Sequence, residues 1–285
     1  MLITTDFVMQ NLPKTGSSFA RAVIKEIYQQ WQSSKNGMIK ALQRLIFKQP
    51  SYFSELMLPN IRVSGIEKPA NQHGTFSQIP PKYLNREIVS IVRNPYSRFM
   101  SSYEFREWEK YPLIPESLLA EHFPHFPSLS VDDYVRLEEF QVTHGMFGGN
   151  IPKANVGSQT VKFIQMFFRN PRDVLANLTD EYLNSPDIFH DIDDINFLRQ
   201  DRLSDDLALF LERHGFSAEE VQYVRERERV NVTKSYAIDR ACLWTKSSIA
   251  YIKEKERMIF RILNNRGIFY PTPEITVENQ ANGFT

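Results

Sequence analysis

The chain has 285 residues, 42% of them hydrophobic, and its 34 lysine and arginine residues balance its 34 aspartate and glutamate residues. This length is compatible with one α/β domain over residues 1–285 and is sufficient to bury a sizeable core. The absence of net charge argues against a general nucleic-acid-binding protein, because such proteins usually carry a basic excess.

Cysteine usage and hydropathy argue against several further classes of protein. Cys242 is the only cysteine, so the chain cannot form an internal disulfide, and the sequence has no Cys/His cluster typical of a zinc site. The first residues lack the basic stretch and long apolar run of a signal peptide, and no run of about 18 apolar residues predicts a membrane span. We therefore expect a cytoplasmic protein with neither a bound metal nor a membrane partner.

The first third of the chain alternates between strand and helix patterns. Runs of β-branched residues predict strands, and apolar residues at helical spacing predict helices. The predicted elements are a strand over residues 5–12, a helix over 17–32, a shorter helix over 35–48, strands over 61–66 and 87–94, and a helix over 95–110. Pro95 is tolerated at the start of the last helix because its missing N–H would have no helical partner there.

The rest of the chain adds loops, one strand and further helices. Residues 111–130 are rich in proline and aromatic residues, residues 145–158 are rich in glycine, and both segments are expected to form loops. Ser130 is a candidate helix N-cap, and Gly215 and Gly267 are candidate helix ends. The remaining predictions are helices over residues 131–140, 158–170, 204–214, 217–229 and 240–267, the last with an internal break, and a strand over 195–199. A strand is the alternative for residues 158–170.

Strands that alternate with helices favour a single α/β domain with a central parallel β-sheet flanked by helices and joined by right-handed crossovers. Ligands in such folds bind at the carboxyl ends of the strands. Two polar turns, at Lys14 and at Arg93, directly follow predicted strands. This coincidence is the first indication of a functional site.

The turn "PKTGSS" between the first strand and the first helix has the character of an anion site. The first N–H groups of a helix lack intrahelical partners, and the helix dipole is positive there. Gly16 allows close backbone approach, and the side chains that add charge or hydroxyl donors are Lys14, Thr15, Ser17 and Ser18. The turn is not a Walker A motif, because its lysine precedes its glycine. The alternative interpretation is an ordinary strand-to-helix connection with an exposed lysine.

The second turn is "VRNPYSRFMSSYEF". Arg93 ends a predicted strand and offers a planar fork suited to phosphate, and Ser101 follows eight residues later in the next helix. The alternative is that Arg93 pairs with a carboxylate and that Ser101 is a small packing residue. Taken alone, this turn favours that alternative, in which Arg93 and Ser101 have only structural roles.

The ordered pair of turns resembles the sulfotransferase family, whose sulfuryl donor is 3′-phosphoadenosine 5′-phosphosulfate (PAPS). The resemblance implies a P-loop-like, sulfotransferase-type fold, no metal requirement and adenosine 3′,5′-bisphosphate as the product. It implies that the segment from Lys14 to Phe19 holds the 5′-phosphosulfate and that Arg93 and Ser101 hold the 3′-phosphate. The second motif also matches the family at Asn94, Pro95, Arg98 and Tyr103.

Two further segments bear on the resemblance. The run "FLRQDRLSDDLALFLERHGF" is similar to a segment of the branch that contains carbohydrate sulfotransferases and bacterial relatives. In the family, a segment near the C-terminus often covers the 3′-phosphate, and Arg229, Asn231 or Lys234 in "RERERVNVTKSY" would serve here. The alternative for that basic stripe is a solvated helix face.

The chemistry that the resemblance implies is in-line transfer, in which positioning and charge stabilisation do most of the work. Lys14 is expected to neutralise charge on the leaving oxygen. His73 follows the predicted strand over residues 61–66 and is our candidate general base, since histidine titrates near neutral pH. Glu67 and Glu104 are rival bases, and His73 could instead be a loop histidine that only binds the backbone.

The acceptor is expected to be a small molecule with a hydroxyl or amine, such as a secondary metabolite. The aromatic segment 111–126 suits a partly apolar acceptor, and His122 and His125 within it are candidate contacts. A carbohydrate acceptor, either an oligosaccharide or a glycolipid, is the alternative within the family. A noncatalytic nucleotide-binding protein and a nucleotide kinase or NTPase are the alternatives outside it. The chain is expected to act as a monomer or homodimer.

Overall fold

The computed structural model describes residues 1–33, 53–60, 70–147, 153–227 and 243–275. The chain divides into two compact units. The first consists of Met1–Asn60, Lys68–Arg93 and Asp194–Thr233, and the second of Ile61–Glu67, Asn94–Asp193 and Lys234–Thr285. The helix predicted over residues 35–48 and the strand predicted over 61–66 lie outside the described residues.

The fold combines one β-sheet with helices. The strands are β1 (Leu2–Thr4), β2 (Phe7–Gln10), β3 (Phe53–Glu55), β4 (Glu87–Val92) and β5 (Ile195–Arg199). The α-helices are α1 (Ser17–Ser33), α2 (Pro95–Phe105), α3 (Glu107–Lys110), α4 (Glu116–His122), α5 (Val131–Phe140), α6 (Ser158–Phe167), α7 (Pro171–Ala176), α8 (Asp180–Asn184), α9 (Asp187–Asp191), α10 (Leu203–Arg213), α11 (Ala218–Glu226), α12 (Lys246–Lys255) and α13 (Arg257–Asn265). A π-helix, Gln141–Met146, follows α5, and the short 3-10 helices are Phe76–Gln78, Pro81–Tyr83 and Gln200–Arg202.

The sheet belongs to the first unit and has the order β3-β1-β2-β4-β5. Strands β2, β4 and β5 are parallel, as predicted for the central sheet. Strand β1 is antiparallel to both β2 and β3, so the sheet as a whole is mixed rather than wholly parallel. The α/β class is therefore confirmed, and the two additional antiparallel strands are the difference from the sequence-based expectation.

A tight hairpin explains why the strand predicted over residues 5–12 begins later in the structure and is preceded by β1, which was not predicted. The Thr4 hydroxyl accepts the N–H of Phe7 at 3.0 Å and the N–H of Asp6 at 3.2 Å, and it donates to the Phe7 carbonyl at 2.9 Å. These bonds turn the chain between β1 and β2, because a threonine side chain can replace a backbone partner in a turn. The strand therefore starts at Phe7 and ends at Gln10.

The core of the first unit lies between the parallel strands and three helices. Phe7 and Met9 of β2 pack with Val89 and Ile91 of β4 and with the apolar faces of α1, α10 and α11. The Ser217 hydroxyl accepts the N–H of Glu220 at the start of α11. This packing fixes the start of α1 against the end of β2.

The second unit is helical in its described residues and has an aromatic core. Ser130 caps α5 as predicted, and the predicted break in the last helical region falls at Glu256, between α12 and α13. Two expectations are corrected. The predicted helix over residues 95–110 is interrupted at Arg106, whose φ of +53° is left-handed, and the predicted loop over 111–130 contains α4. Gly145, expected in a loop, lies in the π-helix.

Glu256 is a buried carboxylate that caps α6. It accepts the N–H of Gln159 at 3.2 Å, the N–H of Thr160 at 2.6 Å and the Thr160 hydroxyl at 2.7 Å. Burial raises the pKa of Glu256 to about 7, although these hydrogen bonds pull it down, and the nearby Glu138 raises it further. The cap is therefore sensitive to protonation in the neutral range.

Candidate functional site

The candidate site of the first unit lies at the carboxyl edge of the parallel strands. Gln10 of β2 is paired with Ser90 of β4, and Val92 of β4 is paired with Arg199 of β5. The segments that leave these three strands therefore emerge at one edge of the sheet, where α/β proteins bind ligands.

The Lys14–Ser18 turn has an unusual backbone. Lys14 has a φ of +66° and Gly16 a φ of +86°, whereas Thr15 between them is not in the left-handed region. Alternation of this kind turns successive N–H groups towards one side and creates a concave anion-binding surface. A non-glycine residue held at positive φ is strained, and such strain is concentrated at functional sites. Lys14, the residue predicted to bind the anion, is thus one of the two residues of the turn with a positive φ.

The hydroxyl residues of the turn have different roles. Thr15 is fully buried, and its hydroxyl donates to the Leu12 carbonyl at 2.8 Å. This hydrogen bond stabilises the turn itself. Ser17 is buried at the start of α1, and Ser18 is exposed. Phe19 packs in the core of the first unit, and its N–H donates to the Gly16 carbonyl at 3.0 Å. The exposed parts of the turn are therefore Gly16 and Ser18.

Helix α1 gives the turn a favourable electrostatic setting. It runs for 17 residues and has no acidic side chain in its first turn. The partial positive charge at its N-terminus is therefore not offset by a carboxylate of that first turn. A phosphate or sulfate group is the natural ligand of such a helix start when a glycine-containing turn precedes it.

Arg93 lies directly against this turn. It follows β4, is half-buried, and its Nη1 atom donates to the Lys14 carbonyl at 3.1 Å. Two residues that are 79 positions apart in the sequence, and that belong to the two predicted motifs, are therefore in contact. One guanidinium N–H holds the turn, and the guanidinium as a whole places a permanent positive charge beside it.

The segment after β5 completes the surroundings of Gly16. A Cβ atom at Gly16 would lie 3.2 Å from Leu203 Cδ2 and 3.5 Å from Gln200 Cγ. Glycine is required here for two reasons, since its φ is positive and the neighbouring side chains leave little room. The third strand end thus packs on the turn, which the sequence motifs did not indicate.

The guanidinium of Arg199 forms an ion pair with Asp206. Its Nε and Nη2 atoms bind the two carboxylate oxygens of Asp206 at 2.9 and 2.8 Å, and its main-chain N–H binds Asp206 as well. Burial acts to raise the pKa of Asp206, but the bonds and charge of Arg199 outweigh it and hold that pKa below its usual value. This pair joins β5 to α10.

His73 is fixed against the same edge of the sheet. Its Nδ1 atom lies 2.6 Å from the main-chain carbonyl oxygen of Asn11, the residue that follows β2. A carbonyl oxygen can only accept, so Nδ1 carries the proton, and the basic lone pair of the neutral ring is on Nε2. This is the tautomer that a general base acting through Nε2 requires.

The other predicted site residues lie elsewhere or outside the described residues. Ser101 is 7% exposed on α2 of the second unit, and Glu104, a rival base, lies on the same helix. His122, on α4, and His125, after it, are exposed in the second unit. Residues outside the described ranges are Glu67, Arg229, Asn231 and Lys234.

Arg98, the second arginine of the "RNPYSR" motif, is a buried residue of the second unit. It is 4% exposed, and burial lowers the pKa of its guanidinium, while Glu107, Glu256 and Glu138 act in the opposite direction. This environment indicates a role in the core of the second unit.

Sequence reasoning missed Asn11. This residue is fully buried, although it is polar and lies between a strand and the Lys14 turn. The only signal in the sequence is the pair Gln10-Asn11 directly after the apolar run Phe7–Met9. A polar pair at the end of a buried strand is compatible with an ordinary loop, so the signal is weak.

The described residues form neither a cluster of metal-binding side chains nor a helix suited to span a membrane. Over the described ranges, no three histidine, cysteine, aspartate or glutamate side chains come together in a way that could hold a metal ion. No described helix combines the length and apolar character needed to cross a membrane.

No protein-family model matches the chain, and no curated protein matches it significantly. Function must therefore be inferred from the residues of the chain and their geometry.

Proposed function

We propose that the chain is a PAPS-dependent sulfotransferase whose donor site is built on the Lys14–Ser18 turn. The observation that carries the proposal is the hydrogen bond from Arg93 to the Lys14 carbonyl. It joins the two sequence motifs whose order and spacing resemble the sulfotransferase family. The parallel strands β2, β4 and β5 would then form the P-loop-like part of a sulfotransferase-type fold, with β1 and β3 as an antiparallel extension.

The geometry of the turn supports an anionic group as its ligand. The alternating backbone, the start of α1 and the charges of Lys14 and Arg93 all favour a phosphosulfate or phosphate. In the proposal, the turn and α1 hold the 5′-phosphosulfate of PAPS, and Arg93 faces the 3′-phosphate. The assignment of Ser101 to that phosphate, and of Arg229 and Asn231 to its cover, remains a sequence-based prediction.

The proposed reaction is a direct in-line transfer. The oxygen or nitrogen of the acceptor attacks the sulfur atom, and the bond between sulfur and the 5′-phosphate oxygen breaks. The electron pair of that bond stays on the phosphate oxygen, where Lys14 neutralises the charge, and adenosine 3′,5′-bisphosphate leaves. The acceptor proton goes to Nε2 of His73, which the Asn11 carbonyl keeps in the basic tautomer. No metal is needed in any of these steps.

The proposed acceptor is a small molecule that carries a hydroxyl or an amine. A histidine base serves a hydroxyl best, because a neutral amine attacks without prior loss of its proton. The acceptor side of the proposal rests on the sequence, since the aromatic segment around His122 and His125 is its main support.

A transfer assay with sulfur-labelled PAPS tests the proposal. Wild type would be incubated with separate pools of phenols and alcohols, amines, and oligosaccharides or glycolipids, and label in each pool would be counted. Lys14→Met removes the charge and keeps the side-chain stem, and Lys25→Ala, on the exposed face of α1, is the matched control. We expect transfer to a hydroxyl or amine pool with wild type and Lys25→Ala and its loss in Lys14→Met.

The other outcomes distinguish the alternatives. Label in the carbohydrate pool would identify a carbohydrate sulfotransferase. Tight binding of adenosine 3′,5′-bisphosphate without transfer to any pool would favour the noncatalytic nucleotide-binding protein. Transfer that survives in Lys14→Met would contradict the role of the turn.

A further inference from the structure

Asn11 and the His73 segment are joined by two hydrogen bonds in opposite directions. His73 Nδ1 donates to the main-chain carbonyl of Asn11 at 2.6 Å, and the side-chain Nδ2 of Asn11 donates to the Gln72 carbonyl at 3.3 Å. The bonds connect residues that are 61 and 62 positions apart. Together they close a small ring of atoms between residue 11 and residues 72–73.

The amide of Asn11 is oriented by this contact. The Gln72 carbonyl can only accept, so Nδ2 must face it, and Oδ1 points elsewhere. Asn11 is 0% exposed, and Oδ1 has no hydrogen-bond partner among the described residues. An amide oxygen that is buried without a partner destabilises the fold, so core packing alone would favour an apolar side chain.

The main chain of the His73 segment has separate anchors. Asn71 pairs with Leu58 through two backbone hydrogen bonds of 2.8 Å, and Asn71 Oδ1 accepts the N–H of His73 at 2.8 Å. Gly74 packs so closely against Leu58 and Met1 that the ends of these two side chains would have to move to admit a Cβ atom. The Met1 amino group donates to the same Gln72 carbonyl that Asn11 binds. The Leu58 and Met1 contacts hold the loop to those two residues, whereas Asn11 holds it to the segment that leads into the Lys14 turn.

From this geometry we infer that Asn11 is a positioning residue for His73. Its side chain keeps the 72–73 peptide beside its own carbonyl, and that carbonyl sets the tautomer and the direction of the imidazole. Lys14 follows three residues later, so the same short segment would set both the leaving-group cation and the base. The catalytic part of this role rests on the proposed function, and the structural part does not.

The chemical consequence concerns the proton that His73 would accept. When Nε2 takes a proton, the ring becomes positive and its Nδ1–H becomes a stronger donor to the Asn11 carbonyl. A base held in this way needs no reorientation during the reaction. A carbonyl or carboxylate that accepts the Nδ1–H is a common means of orienting a catalytic histidine.

Nitrogen NMR of the imidazole rings tests the inference without any acceptor. The six histidines would be labelled with ¹⁵N, and the His73 signals identified by their absence in His73→Ala. Asn11→Ala removes the side-chain link, and Asn11→Ser is the smaller polar alternative in case the alanine variant does not fold. Ser90→Ala is the matched control, since Ser90 is also buried and its hydroxyl donates to the Gln10 carbonyl at 2.9 Å.

The spectra would be recorded at a pH where the imidazole is neutral, and there we expect His73 of wild type and Ser90→Ala to carry its proton on Nδ1. In the Asn11 variants, we expect this signature to give way to a mixture of tautomers. Binding of adenosine 3′,5′-bisphosphate, measured by calorimetry, should change less than about threefold, because the anion turn is untouched; a threefold change is under 1 kcal/mol.

Two results would overturn the inference. One is a proton on Nε2 in wild type. The other is an unchanged His73 signature in a folded Asn11 variant. If Asn11→Ala does not fold, Asn11→Ser carries the comparison, because the wild-type tautomer alone reports on the main-chain carbonyl and not on the Asn11 side chain. Failure of wild type to bind the bisphosphate would count against the proposed function and leave the structural role of Asn11 to be read from the NMR result.

Discussion

Arg93 and Lys14 meet through a hydrogen bond of 3.1 Å from the guanidinium Nη1 atom of Arg93 to the main-chain carbonyl oxygen of Lys14. Strands β2 and β4 are neighbours and parallel, so the residues that follow them leave the sheet at the same edge. The bond also helps to hold Lys14 at its positive φ, because it fixes the carbonyl of that residue. Arg93 is thus both a charge beside the turn and a support of its shape.

The first prediction concerns Gly16, which has a φ of +86° and close side-chain neighbours. Gly16→Ala should lower the free energy of unfolding by about 1–2 kcal/mol from the backbone alone, with more from the contact with Leu203. Binding of adenosine 3′,5′-bisphosphate should fall at the same time, because the turn must shift. Thermal unfolding and calorimetry measure the two effects.

Gly215→Ala is the control for this prediction. Gly215 has a φ of +79° and no atom within 4 Å of an added Cβ, so it carries the same backbone strain without the contact. We expect a similar backbone destabilisation and unchanged nucleotide binding. Equal loss of binding in both variants would show that the effect is global and does not arise at the turn.

The second prediction concerns Gly74, the neighbour of His73. A Cβ at this position would overlap the side chain of Leu58 and lie 3.0 Å from Met1 Cε. Gly74→Ala should therefore destabilise the fold by about 1–3 kcal/mol, as overpacking does, and should displace His73. In a transfer assay, kcat should fall while nucleotide affinity changes little. Loss of nucleotide affinity with unchanged kcat would contradict the assignment of His73 as the base.

The third prediction concerns the pH dependence of stability. The pKa of Glu256 is raised from 4.5 to about 7 in the folded chain, chiefly by burial. Between these two values the folded state binds more protons than the unfolded state, so the free energy of unfolding decreases as the pH rises from about 4.5 to about 7. The total decrease in the free energy of unfolding over this pH range is on the order of 3 kcal/mol.

Glu256→Gln should remove this dependence. The single oxygen of a glutamine can still accept the N–H and the hydroxyl of Thr160, which both bind Oε2 of Glu256, although the bond from the Gln159 N–H to Oε1 is lost. The amide is not ionised at any of these pH values. Denaturant unfolding at pH 5, 6, 7 and 8 would measure the slope for wild type, Glu256→Gln and the exposed control Glu254→Gln. An equally steep decrease in Glu256→Gln would locate the titrating group elsewhere.

The strand ends and helix starts were predictable because they depend on local chemistry. Strand β5 and the end of α10 before Gly215 follow the sequence pattern, and Ser130 caps its helix as expected. The two anion motifs indicated the edge of the sheet where Lys14 and Arg93 are found.

The parts that were not predictable depend on contacts between distant residues. The hairpin at Thr4 uses one side chain as a backbone partner, and its short strands resemble the start of a longer one. Asn11 is significant only because residues 72–73 cross it, which no local pattern records. The interruption at Arg106 also lies within a continuous helical pattern.

The measurement that tests the central claim most directly is calorimetric titration of adenosine 3′,5′-bisphosphate into wild type, Arg93→Ala and the exposed control Lys82→Ala, with ATP as the reference nucleotide. The sulfotransferase assignment predicts tight bisphosphate binding to wild type and Lys82→Ala. It predicts binding about 10–100-fold weaker in Arg93→Ala, the loss expected for a hydrogen bond to a charged group, and much weaker binding of ATP. Absence of bisphosphate binding to wild type, or equal affinity for ATP, would contradict the assignment and leave the Lys14 turn as a general phosphate-binding loop.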